Sequence, residues 1–567
     1  MRFGLFYEHQ MPRPWREGAE GELLRNALDQ IEIADRVGFD YVWEVEHHFL
    51  EEYSHSSAPE VFLAAASQRT SRIRLGHGIV QLPPAFNHPA RIAERVATLD
   101  LVSNGRVDFG TGEASSQMEL GGFGVDREAK RAQWTEALDV VTRMMVEEPF
   151  AGHDGEFISV PPRNVVPKPE QKPHPPLWVA CSRRETILMA AKKGIGALSF
   201  SFVEPEDAKE WVDEYYELIE SDECIPAGFA VNPNLAVVVP MFCHEDEETA
   251  IARGIDGGHF FGYSLAHYYV FGEHQPGRTN VWEEFQQHRN KFGFAREIVR
   301  AEGETLGVKL LEQGLGSMRG AVGTPKQIVE LVERYEAAGV DQVIFVAQCG
   351  NNVHEEVCES LELFGREVVP HFAARADEAE RKKMERLSGA IERAQARREA
   401  AQQSPADYVV RTDGEPGAAR NWVLEERRGR DAEDPAEQFL SQLRGKTDEE
   451  LVNIVEGSQV LEVILNGMAS RFDPQYARGF TGDIQYNFQT DGETKAYYVT
   501  VEKDAAEVHE GTSQTAAVTV AMPVPTYLRL ASGEENGAIA MMEGRIGISG
   551  DAKLAIRLGE MFGQSRY

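Results

Sequence analysis

The sequence predicts an α/β chain: a closed (β/α)8 barrel of the TIM type with insertions, followed by a smaller α+β unit. Three observations carry this expectation. Apolar runs of strand length alternate with amphipathic helical stretches eight times between Arg2 and Val369. Such alternation calls for a parallel sheet covered by helices, and eight units over this length fit a closed barrel. No Gly-x-Gly-x-x-Gly follows the first apolar run, as a dinucleotide-binding open sheet would want. A doubly wound open sheet stays as the alternative, since periodicity alone does not show closure. Finally, the composition changes after residue 372. The expected division is 1–372 for the barrel, 373–434 for a charged helix and linker, and 435–567 for the α+β unit.

Taken in order, Arg2 to Tyr7 is a short apolar strand. Leu23, Leu24, Ala27, Leu28, Ile31 and Ala34 recur at helical spacing over Gly21 to Val37, and Gly38 can close that helix. Tyr41 to Val45 is the second strand, and Ser57-Ala58-Pro59-Glu60 reads as a capping box for a helix reaching about Gln68. Ile73 to Gly78 is the third strand, His88 to Leu101 a helix, and Arg106 to Gly110 the fourth strand. Asp126 is expected to cap a long helix to Val146. A Pro/Gly-rich excursion over 148–176 reads as a small hairpin. The alternation resumes with strands at Leu177 to Ala180, Gly196 to Phe200 and Asn234 to Met241, and helices at Arg184 to Lys193 and Glu206 to Glu220. Residues 245–322 are rich in aromatics and glycine. Thr324-Pro325 opens a helix to Ala338, Gln342 to Val346 is the eighth strand, and a helix from Val353 ends before Pro370.

Residues 374–402, dense in Ala, Glu, Lys and Arg, read as an exposed helix, and 403–434 as a linker. From Pro435, the positions Phe439, Leu443, Leu451, Ile454, Val455, Val460, Leu461 and Ile464 suggest two helices. Strands follow at Asp483 to Gln489 and Lys495 to Glu502, then at Ala506 to His509 continuing into Ala516 to Met522. A helix at Pro525 to Ala531, a strand at Gly544 to Ser549 and a helix at Asp551 to Met561 close the chain.

At 567 residues, 42% of them hydrophobic, the chain is too long for one ordinary core. A net charge of −34 disfavours nucleic acid and anionic membranes as partners. Five scattered cysteines without a Cys-x-x-Cys pair argue against a disulfide framework or a zinc site. No metal is expected. The N-terminus lacks a signal-peptide run, and no stretch approaches the roughly 20 apolar residues of a membrane span. The expectation is a cytoplasmic protein.

The chemistry centres on Glu46-His47-His48-Phe49, directly after the second strand. Loops after barrel strands hold catalytic groups, and two histidines beside a carboxylate can move protons near neutral pH. His77-Gly78-Ile79-Val80, Gly110-Thr111-Gly112-Glu113 and Ser182-Arg183-Arg184-Glu185-Thr186 follow other strands. The last leads into a helix, whose free N–H groups with Ser, Thr and two arginines make a phosphate seat suited to flavin mononucleotide (FMN). An ordinary capped helix is the plainer reading.

Residues 1 to about 370 resemble the bacterial luciferase-like, flavin-dependent monooxygenases. The resemblance is carried by Glu46-His47-His48-Phe49, His88-Pro89-Ala90-Arg91-Ile92-Ala93-Glu94-Arg95, Leu99-Asp100-Leu101-Val102-Ser103-Asn104-Gly105-Arg106, Gly110-Thr111-Gly112, Gly323-Thr324-Pro325 and Ala338-Gly339-Val340-Asp341. It implies that reduced FMN from a separate flavin reductase reacts with O2, and that a flavin C4a-peroxide oxygenates a hydrophobic substrate. His47 matches the family's acid or base, with Glu46 and His48 beside it. Gly78, Ile79, Thr111, Gly112 and Glu113 fall along the cofactor seat, with a non-proline cis peptide implied at Gly78-Ile79. Gly112 stands where luciferases carry cysteine. Glu113 stands where many members carry a phosphate-binding arginine, so that role passes to Ser182, Arg183, Arg184 and Thr186. Residues 257–290 match the family's mobile loop after the seventh strand, whose Phe260, Tyr263, Tyr268, Tyr269 and Phe271 would close over the site or pack the barrel end. A homodimer is implied by analogy.

Residues 435–567 resemble the sterol-carrier-protein-like, lipid-binding domain through Glu543-Gly544-Arg545-Ile546 and Ser549-Gly550-Asp551-Ala552-Lys553-Leu554. That implies a tunnel for apolar compounds, or a unit that only mediates assembly. The rival functions are a deazaflavin-dependent oxidoreductase transferring hydride on the same barrel, a metal-dependent hydrolase using Glu46, His47 and His48, and a lipid-binding protein with an inert barrel.

Overall fold

The computed structural model describes residues 1–199, 205–288, 307–309, 317–319, 321–405, 408, 410, 443, 445–455, 460–470, 472, 474–477, 479–490, 492–532, 534–535, 540–541 and 543–562. The chain divides into two compact units, Met1–Pro405 and Ala406–Tyr567.

In the first unit eight parallel strands pair in chain order: β1 (Arg2–Tyr7), β2 (Tyr41–Glu44), β3 (Arg74–His77), β4 (Val107–Gly112), β5 (Leu177–Cys181), β6 (Gly196–Ser199), β7 (Leu235–Cys243) and β8 (Gln342–Val346). The last pairs back onto the first, with Phe3 opposite Val343, so the sheet is closed and the open-sheet alternative falls. All nine residues of β7 are buried, as expected of a parallel strand covered on both faces. The helices are α1 (Ala19–Val37), α2 (Pro59–Arg69), α3 (Pro89–Val102), α4 (Gln117–Phe123), α5 (Lys130–Val146), α6 (Arg184–Lys192), α7 (Pro205–Glu220), α8 (Glu247–Ala266), α9 (Val281–His288), α10 (Pro325–Ala338), α11 (His354–Glu367) and α12 (Val369–Arg397).

Side chains alternate across the wall. Leu5, Val42, Leu75 and Phe345 join the core under the helices. Phe6, Trp43, Trp178, Leu198, Val238 and Ile344 form a second cluster with the aromatics of α8. The Trp43 and Trp178 rings meet edge to face at 5.2 Å. Gly76 makes this possible, because a Cβ there would lie 2.2 Å from the Trp43 ring.

Local capping departs from the expectations in places. Thr324 does cap α10, accepting from the Gln327 amide at 3.4 Å. Ala58 occupies the α2 cap with no side-chain bond, so the capping box at Ser57 does not form. Asp126 accepts from the Glu128 amide at 3.0 Å within the preceding turn, and α5 starts only at Lys130. The last helix of the barrel, α11, does end before Pro370, which sits in the first turn of α12, where a missing N–H costs nothing. The hairpin expected in 148–176 is a two-residue pairing of His153–Asp154 with Ser159–Val160.

Residues 247–266 are helical rather than loop, and a π-helical turn, His267–Phe271, extends them. Glycines in α8 bring it close to its neighbours: a Cβ on Gly257 would lie 2.2 Å from Asn352 Oδ1. Residues 289–306 and 310–316 of that segment, and Phe200 of the expected sixth strand, lie outside the described residues, as do most of the linker and Phe439.

The second unit holds a five-stranded sheet of β9 (Gly482–Gln489), β10 (Thr494–Val501), β11 (Ala506–Glu510), β12 (Val518–Pro523) and β13 (Gly547–Gly550), in the order β11-β10-β9-β12-β13. β9 and β12 are parallel, the other pairs antiparallel. The expected run from 506 into 522 is therefore two strands on opposite sides of the β9–β10 pair. Helices at Asp448–Val455, Val460–Ala469, Val524–Ser532 and Ala552–Met561 supply Leu451, Leu465, Leu528 and Leu554 to the core. Among the described residues, no helix is long and apolar enough to cross a membrane.

Candidate active site

The C-terminal ends of the barrel strands gather the polar residues that the sequence singled out. Past β2, the chain turns sharply, with Phe49 and Glu51 in the left-handed region at φ 65° and 29°. This leaves His47 and His48 facing different carboxylates. His47 Nδ1 lies 3.0 Å from Glu119 Oε1, and His48 Nε2 lies 3.2 Å from Glu46 Oε1. The divergence removes the shared ligand geometry that the hydrolase reading needs.

Glu119 is the hub of this network, and sequence reasoning missed it. Its Oε1 also accepts from the His48 amide at 3.0 Å and from Gln81 Nε2 at 2.7 Å. It projects from α4, a short helix capped by the Ser116 hydroxyl and ended by Gly124. Glu46 is held by the Gln81 amide at 2.8 Å and Asn87 Nδ2 at 2.7 Å. On the other side of His47, Glu8 Oε2 lies 3.6 Å from Nε2, and Tyr53 donates to Glu8 Oε1 at 2.8 Å. Glu8 was missed as well. Its signal was there: Glu8-His9-Gln10 follows β1 just as Glu46-His47-His48 follows β2.

Electrostatics follow from burial. Burial pulls the His47 imidazole down, but Glu119, then Glu8 and Glu46, outweigh it and lift it to about 9. Burial raises Glu8 to about 7 against the pull of His47 and Tyr53. Burial drives His77 down to about 4, against the opposing pull of the Asp108 backbone and of Glu46. His47 is thus cationic at neutral pH, and both ring nitrogens carry protons.

The aromatics of the 257–290 segment divide. Phe260, Tyr263 and Tyr268 are buried in the barrel-end cluster. Tyr269 lies with its hydroxyl 3.5 Å from His47 Nδ1. The Phe271 side chain lies outside the described residues. Glu52 secures the segment by accepting from the Val281 and Trp282 amides at 2.6 and 3.1 Å. Beside His48, the Phe86 and Phe123 rings meet at a tilt with centroids 4.6 Å apart, and Phe49 joins them half exposed.

The remaining residues are less uniform. Ile79 lies over Gly112, where a Cβ would fall 2.4 Å from Ile79 Cδ1. The cis bonds among the described residues all precede proline, so the Gly78–Ile79 bond is trans, not the cis peptide expected. Thr111 is committed to the barrel wall, donating to the Trp178 carbonyl at 3.0 Å and accepting from Trp134 Nε1 at 3.2 Å. Glu113 carries Arg131 and Lys130, at 2.9 and 3.2 Å. Both cations come from the first turn of α5, and sequence reasoning missed them. At the turn between β5 and α6, burial pushes the Cys181 thiol up to about 12, while Thr186 and Arg131 pull the other way. There Ser182 and Arg183 are exposed, Thr186 bonds the Arg183 backbone, and Arg184 turns away to Glu214 at 2.8 Å.

The profile of the luciferase-like monooxygenases matches residues 1–342, and that of the SCP-2 sterol transfer family matches residues 472–563. The oxygenase component of the flavin-dependent trigonelline monooxygenase of Acinetobacter baylyi is 24% identical over 66% of this chain and 96% of its own. The alkanal monooxygenase alpha chain of the Kryptophanaron alfredi symbiont is 24% identical over 66% of this chain and 100% of its own. Among solved structures, monooxygenase RslO1 from Streptomyces bottropensis aligns at 25% identity and a TM-score of 0.52, covering 66% of this chain and all of its own.

Proposed function

Because the chain belongs to the luciferase-like monooxygenase family, we propose that it uses reduced FMN, delivered by a separate reductase, and O2 to insert one oxygen atom into a hydrophobic organic substrate. The observation that carries this reading is His47, a cationic imidazole held between Glu119 and Glu8 at the C-terminal face of the barrel. The bound reduced flavin supplies the electrons that activate oxygen. The chain's own residues do the rest.

The residues present fit such a cofactor. Lys130 and Arg131 outweigh the single charge of Glu113, and that surplus positive charge suits a phosphate monoester. They replace the missing arginine at position 113 and take precedence over Arg184, which is spent on Glu214. Gly112 leaves room for Ile79, giving a flat ring an apolar face. His47 offers an acidic proton at Nε2, while Glu119 fixes the ring through Nδ1. Tyr269 and the buried aromatics behind it exclude water, and Phe49, Phe86 and Phe123 offer an apolar wall to the substrate. The second unit, on this reading, holds apolar compounds of the same class.

Anaerobic titration with reduced FMN and with a reduced deazaflavin, followed by 18O2 and a long-chain alkanal as probe, tests this. Tight binding of FMN alone and 18O in the product are expected. Binding of only the deazaflavin would replace the reading with hydride transfer, and binding of neither would remove it.

A further inference from the structure

Glu8 flanks His47 on the side away from Glu119. It sits at the end of β1 and is 2% exposed. Tyr53 holds its Oε1, while its Oε2 is buried without a hydrogen-bond partner and points at His47 Nε2 from 3.6 Å. A buried carboxylate oxygen with nothing to accept is costly unless a neighbouring cation pairs with it or it takes up a proton. The imidazole cannot swing away to relieve it, because Nδ1 is tied to Glu119, itself fixed by Gln81 and the His48 amide. Nε2 is therefore the nitrogen left to exchange protons, and Glu8 is the buried group facing it.

We propose that Glu8 is the proton-exchanging partner of His47, a positioning residue that restores the Nε2 proton after each turnover. This deepens the monooxygenase reading and rests on it. The step balances without any oxidant. The Nε2–H bond breaks as the proton passes to a reacting oxygen. The Glu8 O–H bond then breaks, its electron pair stays on the carboxylate, and a new Nε2–H bond forms. Water returns a proton to Glu8. The groups facing the pair are Glu46 and His48 on the same loop, Tyr53 beyond it, Glu119 from α4, Gln81 after β3, Tyr269 from the π turn, and Glu44, which pairs with His9 next door. A carboxyl raised to about 7 can give or take a proton near neutrality, which supports the role.

The test is a histidine-ring NMR titration of the full-length protein, with His47 assigned from His47→Gln. Glu8→Gln should lower the His47 midpoint by about one pH unit or more, since it removes an opposite charge within reach. Tyr53→Phe, which weakens the hold on the Glu8 carboxylate, should lower it less. If Glu8→Gln does not fold, as judged by circular dichroism, Tyr53→Phe carries the test. Midpoints unmoved in every folded variant overturn the pairing. The titration needs neither flavin nor substrate, so it is separate from the reaction: a moved midpoint with no flavin-dependent oxygen transfer would sink the function and spare the pairing. The pH profile of alkanal oxidation should move with the midpoint in Glu8→Gln. A fixed profile overturns the exchange step.

Discussion

Replacing Glu119 by glutamine keeps an oxygen for the His48 amide and Gln81 but removes the charge facing His47. In the folded chain His47 titrates at about 9, against an ordinary 6.5. At about 1.4 kcal/mol per pH unit, this displacement corresponds to about 3 kcal/mol of stability. Below pH 6.5 folded and unfolded chains both carry the proton, and the stabilisation is fully present. As pH rises towards 9 only the folded chain keeps the proton, so the stabilisation is progressively lost. Glu119 is the largest of the carboxylates that raise His47. Roughly half of the effect, about 1.5 kcal/mol, should belong to it. The His47 side chain is only 18% exposed, so solvent screening leaves most of this intact. Six of the seven tryptophans lie in the first unit, so their fluorescence follows its unfolding. Urea melts at about pH 6 and about pH 9.5 should show the wild type losing about 1–2 kcal/mol more than Glu119→Gln between the two conditions. Parallel losses would refute the claim that Glu119 holds the proton on His47.

Arg131→Gln should weaken FMN binding about tenfold while leaving riboflavin binding unchanged, as read by flavin fluorescence titration. Equal losses for both flavins would remove Arg131 from the phosphate seat. Gly112→Cys should cost about 1–2 kcal/mol in a urea melt, because its Cβ collides with the half-exposed Ile79, and Ile79→Ala in the same chain should recover most of that. Gly76→Ala should cost more, about 3 kcal/mol, since the Trp43 ring it meets is fully buried and has nowhere to move.

The barrel was legible because its strands announce themselves. A parallel strand covered on both faces reads as an unbroken apolar run, and β1, β5 and β8 are such runs bounded by polar turns. Helix starts were less legible. Asp126 has the right residue type for a cap, yet its carboxylate serves the turn before α5. The glycines of α8 read as loop, whereas they admit close packing against the turn after β8. At the site, His47 and Glu46 stood out because they follow an apolar strand. Glu119 did not, since it lies 72 residues from His47 on a two-turn helix within a glycine-rich stretch where no periodicity shows. Arg131 likewise reads as an ordinary surface charge of α5, with no spacing that ties it to the Glu113 carboxylate it pairs with in the fold. Pairings made only in three dimensions leave no mark in sequence spacing.

Stopped-flow mixing of the anaerobic complex of protein and reduced FMN with O2 tests the central claim most directly. The wild type should pass through a flavin absorbance distinct from both the reduced and the oxidised forms. His47→Gln should change the lifetime of that species at least about tenfold. A single-step reoxidation matching that of free flavin, identical in the wild type and in His47→Gln, would contradict the account.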